Sequence, residues 1–528
     1  SAASDVYKRQ TIALAFSSIF LPIPLNLLVL AISPMPMILR FLSEFLKKRG
    51  VGVTIDEDLL FLLTHMYAVS TGNPPVEKLF KLKNISGKGY GLYSRVLNSI
   101  AALSRRWGYN IPQATQIKIR KTVNPFLSDF LSRFSEALRV GENVDKFLEQ
   151  EQQSALVSYE ANYARIMEAL KLLLGIYVAS MSAAVFVFVN VILLAYFMGG
   201  TSVIIASSIA SVIMLVVLVF MISRASPREK LVHDLRVTMP ELKRYKWVFL
   251  ASVVLASILS AISLMTIREQ FYALVLFGSI LLIPGILGRR IEGRVKRLES
   301  FTPVFMRSMG LTFATLRNYA YTIRSILLMG ASPLVNYLKR LYVRLKNGID
   351  SKVAFLYFVG ETGSETIRRN IDIFYDAIEN GGEPVRVGEA LSVTTQKILN
   401  LRKQREQVAS SFQGLVYVMT VLVVALSQFV STLVLVLGEF FTGLSGEYAI
   451  FTLASVDPFV VQLATMLLVF AIAILNALAL YVTRGGFIGT TWLHAGILMI
   501  LAGVTMKLAT SFSHMIYELM QIPQVIVP

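Results

Sequence analysis

Charged residues in this chain of 528 residues are confined to a few stretches, and the segments between them are almost uncharged and apolar. Of the 51 Lys and Arg, 47 lie in four polar stretches, at residues 40–171, 224–246, 289–407 and 482–490. Basic residues accumulate on the cytoplasmic side of membrane proteins because they resist translocation. The pattern therefore predicts a polytopic membrane protein whose two long basic stretches face the cytoplasm.

Eight apolar segments are long enough to cross a bilayer. A hydrocarbon core about 30 Å thick requires roughly 20 apolar residues in a helix. The segments of this length lie at residues 11–33, 172–198, 201–223, 247–267, 271–288, 411–438, 459–481 and 491–511. Pro22 and Pro24 interrupt the first segment, which is interpreted either as a kinked span or as the remnant of a hairpin. The total span count therefore stays open.

These spans divide the chain into units, which we expect to be all-helical. Neither long polar stretch contains the two-residue alternation of a β-strand. The prediction is an all-α membrane protein with about eight transmembrane helices and two cytoplasmic helical domains. In chain order the units are an N-terminal membrane segment, either complete or truncated (1–39), cytoplasmic domain 1 (40–171), a transmembrane hairpin (172–223), a basic cytoplasmic loop (224–246), a second hairpin (247–288), cytoplasmic domain 2 (289–410), three transmembrane helices (411–511) and a C-terminal tail (512–528).

The two cytoplasmic domains share a local pattern. The run from Phe134 to Gly141 in domain 1 parallels the run from Phe374 to Gly381 in domain 2. After each glycine a short polar break precedes a helix of about 30 residues that leads into a membrane span. Glycine adopts left-handed backbone conformations without steric cost. We therefore interpret Gly141, Gly381 and Gly382 either as structural helix caps or as joints that allow the domains to move.

The residues that common enzyme and metal sites require are missing or scattered. The chain has no Cys, which removes thiol catalysis and Cys-based metal sites. Gly87-Lys88-Gly89 lacks the hydroxyl residue that ends a phosphate-binding loop. The four His lie in different segments, without the spacing of a zinc protease. We expect a non-enzymatic protein with no catalytic residues, no metal and no cofactor.

The net charge of +18 invites a nucleic-acid interpretation. However, the basic residues flank membrane spans, where membrane topology and anionic lipid headgroups account for them. We therefore expect no nucleic-acid partner.

The predicted spans hold few polar side chains. Coupled transporters keep ionisable residues inside the membrane despite their cost, whereas the polar residues here are neutral ones such as Asn190, Gln428 and Asn476. Hydrogen bonds between helices explain such residues, and so does contact with a transmembrane partner. A membrane transporter or channel remains the alternative from a different functional class.

Several motifs, taken in order, resemble a known family. Three motifs are similar to the first domain of archaellum platform proteins of the archaeal FlaJ type. They are the run from Ala68 to Phe80, the run that begins with Asn124-Pro125, and the Gly141-Glu-Asn-Val-Asp run. The run from Phe301 to Gly310 is similar to the start of their second domain. Asn476 and the pair Gly485-Gly486 are similar to the residues that precede their last span. These proteins belong to the F family of type II secretion and type IV pilus platform proteins. Asn73 departs from the small or apolar residue expected after Gly72.

The resemblance covers about residues 40–510 and implies a function. It implies a platform in the cytoplasmic membrane that couples a cytoplasmic hexameric ATPase to the extraction of archaellin or pilin subunits into a filament. It also implies motility, a homodimer and contact with membrane lipid. A platform for an adhesion pilus or for a type II secretion-like system is the alternative within the family.

Basic residues at the edges of the cytoplasmic domains are the expected ATPase contacts. Electrostatic docking steers the association of two proteins and weakens as the salt concentration rises. For Arg289 and Arg290, anchoring to lipid headgroups is the rival interpretation. The expected docking set is Arg289, Arg290, Arg294, Lys296, Arg297, Arg402, Lys403 and Arg405.

Overall fold

A computed structural model describes residues 55–119, 124–198, 201–227, 229–233, 235, 239–266, 270–330, 333–443 and 457–520. Within these ranges the chain is α-helical apart from its turns, its caps and one short 3-10 helix (Ile488–Thr490), and the only strand-like pairing is an isolated bridge between Val232 and Ser364. The predicted first span, residues 11–33, lies outside the described residues. The structure confirms the all-α class.

Domain 1 consists of five short helices followed by the polar half of a long one. Its helices are α1 (Glu57–Ser70), α2 (Val76–Leu79), α3 (Leu92–Trp107), α4 (Ile111–Ile119), α5 (Pro125–Val140) and α6 (Val144–Met198). Side-chain caps fix two of the starts. The carboxylate of Asp56 accepts a hydrogen bond from the backbone N–H of Leu59 at 2.8 Å, and Asn124 caps α5 in the same way, with Pro125 as its first residue.

Four spans separate domain 1 from domain 2. They are the apolar part of α6 and the helices α7 (Thr201–Ala225), α8 (Pro240–Thr266) and α9 (Gln270–Ser300), and α9 extends beyond its apolar part into domain 2. Domain 2 then contains α10 (Thr302–Leu316), α11 (Tyr319–Leu328), α12 (Val335–Lys346), α13 (Ser351–Thr362), α14 (Glu365–Glu379) and α15 (Pro384–Gly443). Two further helices follow, α16 (Pro458–Arg484) and α17 (Thr491–Met520).

Seven helices within the described residues are long and apolar enough to cross a membrane: α6, α7, α8, α9, α15, α16 and α17. They confirm seven of the eight predicted spans. Glycines bring α9 and α17 close together. A Cβ added at Gly285 would lie 2.4 Å from the backbone nitrogen of Leu493, and one at Gly278 would lie 2.8 Å from the backbone oxygen of Gly496. Such close approach of two backbones is how small residues hold membrane helices together.

The helices α6 and α15, here called the two long helices, connect the domains to the membrane. They contain 55 and 60 residues. At about 1.5 Å per residue they are roughly 80 to 90 Å long. Each begins after a left-handed glycine turn, runs through its domain and continues into the membrane without a break. The predicted helix that runs from each domain into an apolar segment long enough to cross a bilayer is therefore confirmed as one continuous helix.

The repeat extends further than the predicted motif. Gly108 and Gly141 of domain 1 have φ of +67° and +79°, and Gly348 and Gly381, each 240 residues later, have φ of +75° and +82°. The backbone N–H of Glu142 donates to the carbonyl of Ala137 at 2.9 Å, and the equivalent bond in domain 2 joins Gly382 to Ala377 at 2.7 Å. Both copies therefore end the short helix with the same Schellman-type cap.

The two domains are not separate bodies. Helix α1 of domain 1 packs against α14 and α15 of domain 2 as well as against its own α6. At the end of α1, a Cβ added to Gly72 would lie 2.6 Å from the carbonyl oxygen of Asn380. The turn that follows α14 therefore lies directly on the turn that follows α1, and the domains form one contiguous structure.

Candidate functional site

A cluster of buried charged residues lies where the two domains meet the loop between α7 and α8. We call it the junction. It contains charged residues from α1, that loop, α9, α14 and α15. Its members are Glu57, Asp58, Glu229, Glu299, Glu365, Arg368, Arg369, Asp372, Asp376, Arg402 and Arg405, and of these Asp58, whose side chain is 45% exposed, lies at the edge.

Arg402 is the centre of the junction. Its guanidinium lies 3.0 Å from a carboxylate oxygen of Glu57, 3.1 Å from one of Glu299 and 3.5 Å from one of Glu229. These three carboxylates come from α1, α9 and the α7–α8 loop, and the Arg402 side chain is only 13% exposed. A single side chain of α15 therefore holds three separate parts of the chain. A charge buried in this way requires its partners, because leaving water is costly.

Arg405 extends the junction to the membrane helices. Its guanidinium donates to the carbonyls of Thr483 and Val482, each at 2.8 Å, and to that of Pro227 at 3.0 Å. The last carbonyls of a helix have no partner within the helix, so Arg405 satisfies those at the end of α16. Glu229 lies 3.3 Å from Arg405 and also accepts a hydrogen bond from the hydroxyl of Tyr163 on α6 at 2.7 Å. Through Glu229, both long helices meet at one carboxylate.

Helix α14 supplies the second half of the junction. Glu365 pairs with Arg368 at 2.6 Å and with Arg369 at 3.0 Å, and Arg369 also pairs with Asp58 of α1. One turn further, Asp372 accepts a hydrogen bond from the hydroxyl of Ser86 at 2.6 Å. Charges that would face water on an isolated α14 are thus covered by domain 1.

Asp376 closes the same face of α14. Its carboxylate accepts from the backbone N–H of Lys83 at 2.9 Å and lies 3.0 Å from Nε2 of His65. The hydroxyl of Tyr90 lies 2.9 Å from the other ring nitrogen of His65. Because a carboxylate only accepts, the ring proton of a neutral His65 is assigned to Nε2, and Nδ1 accepts from Tyr90.

Burial sets the protonation of the junction carboxyl groups. Loss of water raises the pKa of Glu57, against the opposing charges of Arg402 and Arg369. Burial also raises the pKa of Asp372. Burial alone would raise the pKa of Glu365 as well, but hydrogen bonds and charges from Arg368 and Arg369 outweigh it and lower that pKa to about 2. Glu365 is therefore ionised at neutral pH and bound to two guanidinium groups.

The junction is built for holding elements together. Among the residues that the structure describes, no group of three or more His, Asp or Glu side chains is arranged to hold a metal ion. The charged groups face one another rather than an open cavity.

The predicted docking residues fall into three groups. Arg289, Arg290, Arg297 and Lys403 are exposed. Arg294 is exposed but pairs with Glu241, and Lys296 pairs with Glu292 at 2.6 Å and with Glu406.

The structure corrects the expectation for the remaining two docking residues, Arg402 and Arg405. Both lie inside the junction, and the Arg405 side chain is only 3% exposed. Sequence reasoning placed them on a surface because a basic run beside a membrane span is typical of an exposed edge.

Comparison with known proteins gives two relatives. Over 378 residues the chain is 27% identical to "Flagella accessory protein J" of Methanocaldococcus jannaschii, which covers 69% of this chain and 67% of the relative. Over 382 residues it is 24% identical to the protein of the same name from Methanococcus voltae, with the same coverage of 69% and 67%. The chain is similar to flagella accessory protein J over about two thirds of its length. This confirms the predicted resemblance to archaellum platform proteins of the FlaJ type. No protein-family model and no solved structure matches the chain.

The repeated glycines of this chain are helix caps. Gly141 and Gly381 have left-handed backbones, and a Cβ at Gly141 would meet no atom within 4 Å. Gly382 is more constrained, because a Cβ there would lie 2.7 Å from the carbonyl oxygen of Ala377 and 3.1 Å from that of Ala68 in α1. The cap interpretation thus has direct support, whereas movement at these turns stays a prediction.

The three polar residues in the spans have different environments. Asn476 is fully buried, accepts a hydrogen bond from the hydroxyl of Tyr177 at 2.7 Å and donates to Thr420 at 2.9 Å. Gln428 donates to Thr510 of α17 at 3.2 Å. Asn190 is exposed and donates only to the carbonyl of Phe186 in its own helix. Hydrogen bonds between helices therefore explain Asn476 and Gln428, but not Asn190.

Sequence reasoning missed the junction as a whole. Charged residues at positions 365, 368, 369, 372 and 376 recur at helical spacing, and this pattern is equally typical of a helix face in water. The partners that bury this face lie up to 311 positions away in the chain. The local pattern alone cannot separate the two cases.

Proposed function

We propose that this protein is the cytoplasmic-membrane platform of an archaellum or related type IV pilus-like filament. A cytoplasmic hexameric ATPase docks on the two helical domains, and its motion is passed through the protein to lift pilin-like subunits from the membrane. The observation that carries the proposal is the pair of long helices, each continuous from the joined domains into the membrane. The similarity to two flagella accessory J proteins supports the same function.

The junction gives the proposal a physical basis. If the domains moved independently, a push on one of them would be absorbed by rotation between them. Arg402 and Glu229 instead link both domains, both long helices and the α7–α8 loop. About 27 residues of each long helix lie between its start and its apolar part, so a displacement could be carried over roughly 40 Å.

The exposed cations of α9 and α15 are the proposed ATPase contacts. Arg289 and Arg290 directly follow the apolar part of α9, so lipid headgroups could also explain them. Arg297 and Lys403 lie further from the apolar parts of their helices, and lipid anchoring explains them less well. We expect Arg297→Glu with Lys403→Glu to weaken ATPase capture at low salt and to leave the protein in the membrane. Unchanged capture would remove both residues from the interface.

Deletion of the gene tests the function itself. We expect the deletion strain to lose filaments and motility while the filament subunits accumulate in the membrane, and the intact gene to restore both. Co-purification with adhesion pilins rather than archaellins would shift the proposal to an adhesion pilus. Normal filaments of both kinds in the deletion strain would contradict it.

The absence of Cys makes the membrane orientation simple to test. Ser351 begins α13 in domain 2. Met265 is 84% exposed near the C-terminal end of α8, the end that lies away from the α7–α8 loop. An impermeant thiol reagent should label Met265→Cys on intact cells and Ser351→Cys only after lysis. Labelling of Ser351→Cys on intact cells would contradict a cytoplasmic position of the domains.

A further inference from the structure

A groove of about 850 Å³ separates the two long helices where they approach the membrane. One wall is formed by α6 and the other by α15. The groove lies outside the junction, and nothing in the proposed function uses it.

The groove changes from polar to apolar along its length. Glu168 and Gln404 line the part nearest the domains, Lys171 and Ser411 line the middle, and the part beyond them is lined by Leu174, Gly175, Val178, Ala179 and Leu415. Lys171 is the last charged residue of α6, and α15 has no charged residue between Glu406 and Glu439. The change of polarity therefore coincides with the boundary of the hydrocarbon core.

We propose that this groove binds an anionic membrane lipid. The lipid phosphate lies at Lys171, next to the hydroxyl of Ser411 and the amide of Gln407, and a hydrocarbon chain of the lipid lies against Leu174, Val178 and Leu415. The order of groups in the groove matches the order of groups in a phospholipid at the same depth in the bilayer.

The charge at the polar end supports an anionic headgroup. The Lys171 side chain is exposed, and none of the ion pairs in the described part of the chain includes it. Glu168 also lines the groove but lies one helical turn further from the membrane. The phosphate is therefore placed on the membrane side of Glu168, where the ammonium of Lys171 is the nearest charge.

Charge disfavours an occupant from this chain itself. Residues 11–33 are an apolar segment that lies outside the described part of the structure. They contain no acidic residue to pair with Lys171, whereas a phospholipid supplies a phosphate.

Gly175 gives a direct test. It lines the groove, and a Cβ added there would meet no atom within 4 Å. Gly175→Phe should therefore fill the groove without distorting α6. Gly414→Phe is the matched control, because Gly414 also has no atom within 4 Å of an added Cβ and does not line the groove.

The measurement is native mass spectrometry of the purified full chain with added phosphatidylglycerol or phosphatidylcholine. We expect the unaltered protein and Gly414→Phe to retain one tightly held phosphatidylglycerol, and Gly175→Phe to bind it at least tenfold more weakly. Lys171→Gln changes an exposed side chain and should abolish the preference for phosphatidylglycerol over phosphatidylcholine. Equal retention by Gly175→Phe, or no preference in the unaltered protein, would overturn the proposal.

A photoreactive side chain at Val178 identifies the occupant in native membranes. An adduct with the mass of a phospholipid is expected. An adduct with another protein, or with residues 11–33 of the same chain, would assign the groove to that occupant and refute lipid binding.

Discussion

Helix α5 of domain 1 and helix α14 of domain 2 occupy equivalent places in the repeat, but their charged residues have opposite environments. Asp376 of α14 is 4% exposed and bonded to groups of domain 1. The residue 240 positions earlier, Glu136 of α5, is 52% exposed and pairs only with Arg139 on its own helix. The repeated helix with its glycine cap therefore presents its charged face to the protein interior in domain 2, as α14, and to water in domain 1, as α5.

The difference shows that the contact between the domains is one-sided. Helix α1 and the segment around Ser86 of domain 1 cover α14, whereas no comparable packing of α10 on α5 occurs in the described part of the chain. Repeated folding units therefore do not imply repeated interfaces. The second copy carries the junction, and the first leaves its equivalent face open to water.

Loss of Arg402 is expected to have the largest effect on this contact. Arg402→Met leaves the carboxylates of Glu57 and Glu299 buried without their cation, which typically costs about 3–5 kcal/mol. Lys403→Met is the control, because the neighbouring Lys403 is exposed and should change stability by less than about 0.5 kcal/mol. Thermal unfolding of the purified protein in detergent measures both. Equal midpoints for the two variants would show that the junction does not stabilise the protein.

The repeat itself offers a matched pair for the next largest effect. Asp376→Ala removes the acceptor of the part-buried backbone N–H of Lys83 and leaves the buried His65 without its partner, and should cost about 1–3 kcal/mol. Glu136→Ala, at the equivalent position of domain 1, removes an exposed pair and should cost less than about 0.5 kcal/mol. Similar losses in both variants would mean that the two helices are equally buried in solution.

The glycine turns sharpen the comparison at the level of the backbone. Gly72→Ala places a methyl group 2.6 Å from the backbone of the turn after α14, and overpacking of this kind costs about 1–3 kcal/mol. The methyl group of Gly141→Ala meets no neighbouring atom. This variant should lose only the free energy needed to hold alanine in a left-handed backbone conformation, about 1 kcal/mol. Limited proteolysis should cut Gly72→Ala faster between the domains. A greater sensitivity of Gly141→Ala would contradict the close contact.

The smallest expected effect is a change in acid stability. The pKa of Glu365 is lowered to about 2. Its contribution to the free energy of unfolding is therefore complete above the ordinary pKa of about 4.5 and is lost as the pH falls toward 2. Between pH 7 and pH 4 this loss amounts to about 1 kcal/mol. Glu365→Gln should be less stable at pH 7 and lose less than the unaltered protein on acidification. Parallel pH curves would show that Glu365 is not paired as described.

The parts of the fold that were predictable depend on signals within a single segment. Seven spans follow from hydropathy over about 20 residues, and the caps at Gly141 and Gly381 follow from glycine at the end of a helical pattern. The prediction that Arg402 and Arg405 lie on the surface was wrong because their environment depends on residues far away in the chain. Their partners, Glu57 and Glu229, lie 345 and 176 positions earlier in the chain, so no local pattern distinguishes them from the exposed Lys403.

The central claim is that the two domains form one body, and a distance measurement tests it most directly. Ser132 of α5 and Lys352 of α13 are exposed positions in domains 1 and 2, and the chain has no Cys. Spin labels at Ser132→Cys and Lys352→Cys, diluted with unlabelled protein, give the distance by pulsed electron paramagnetic resonance. The structure predicts one narrow distance distribution that broadens in Arg402→Met. A broad or bimodal distribution in the protein with an intact junction would contradict the claim.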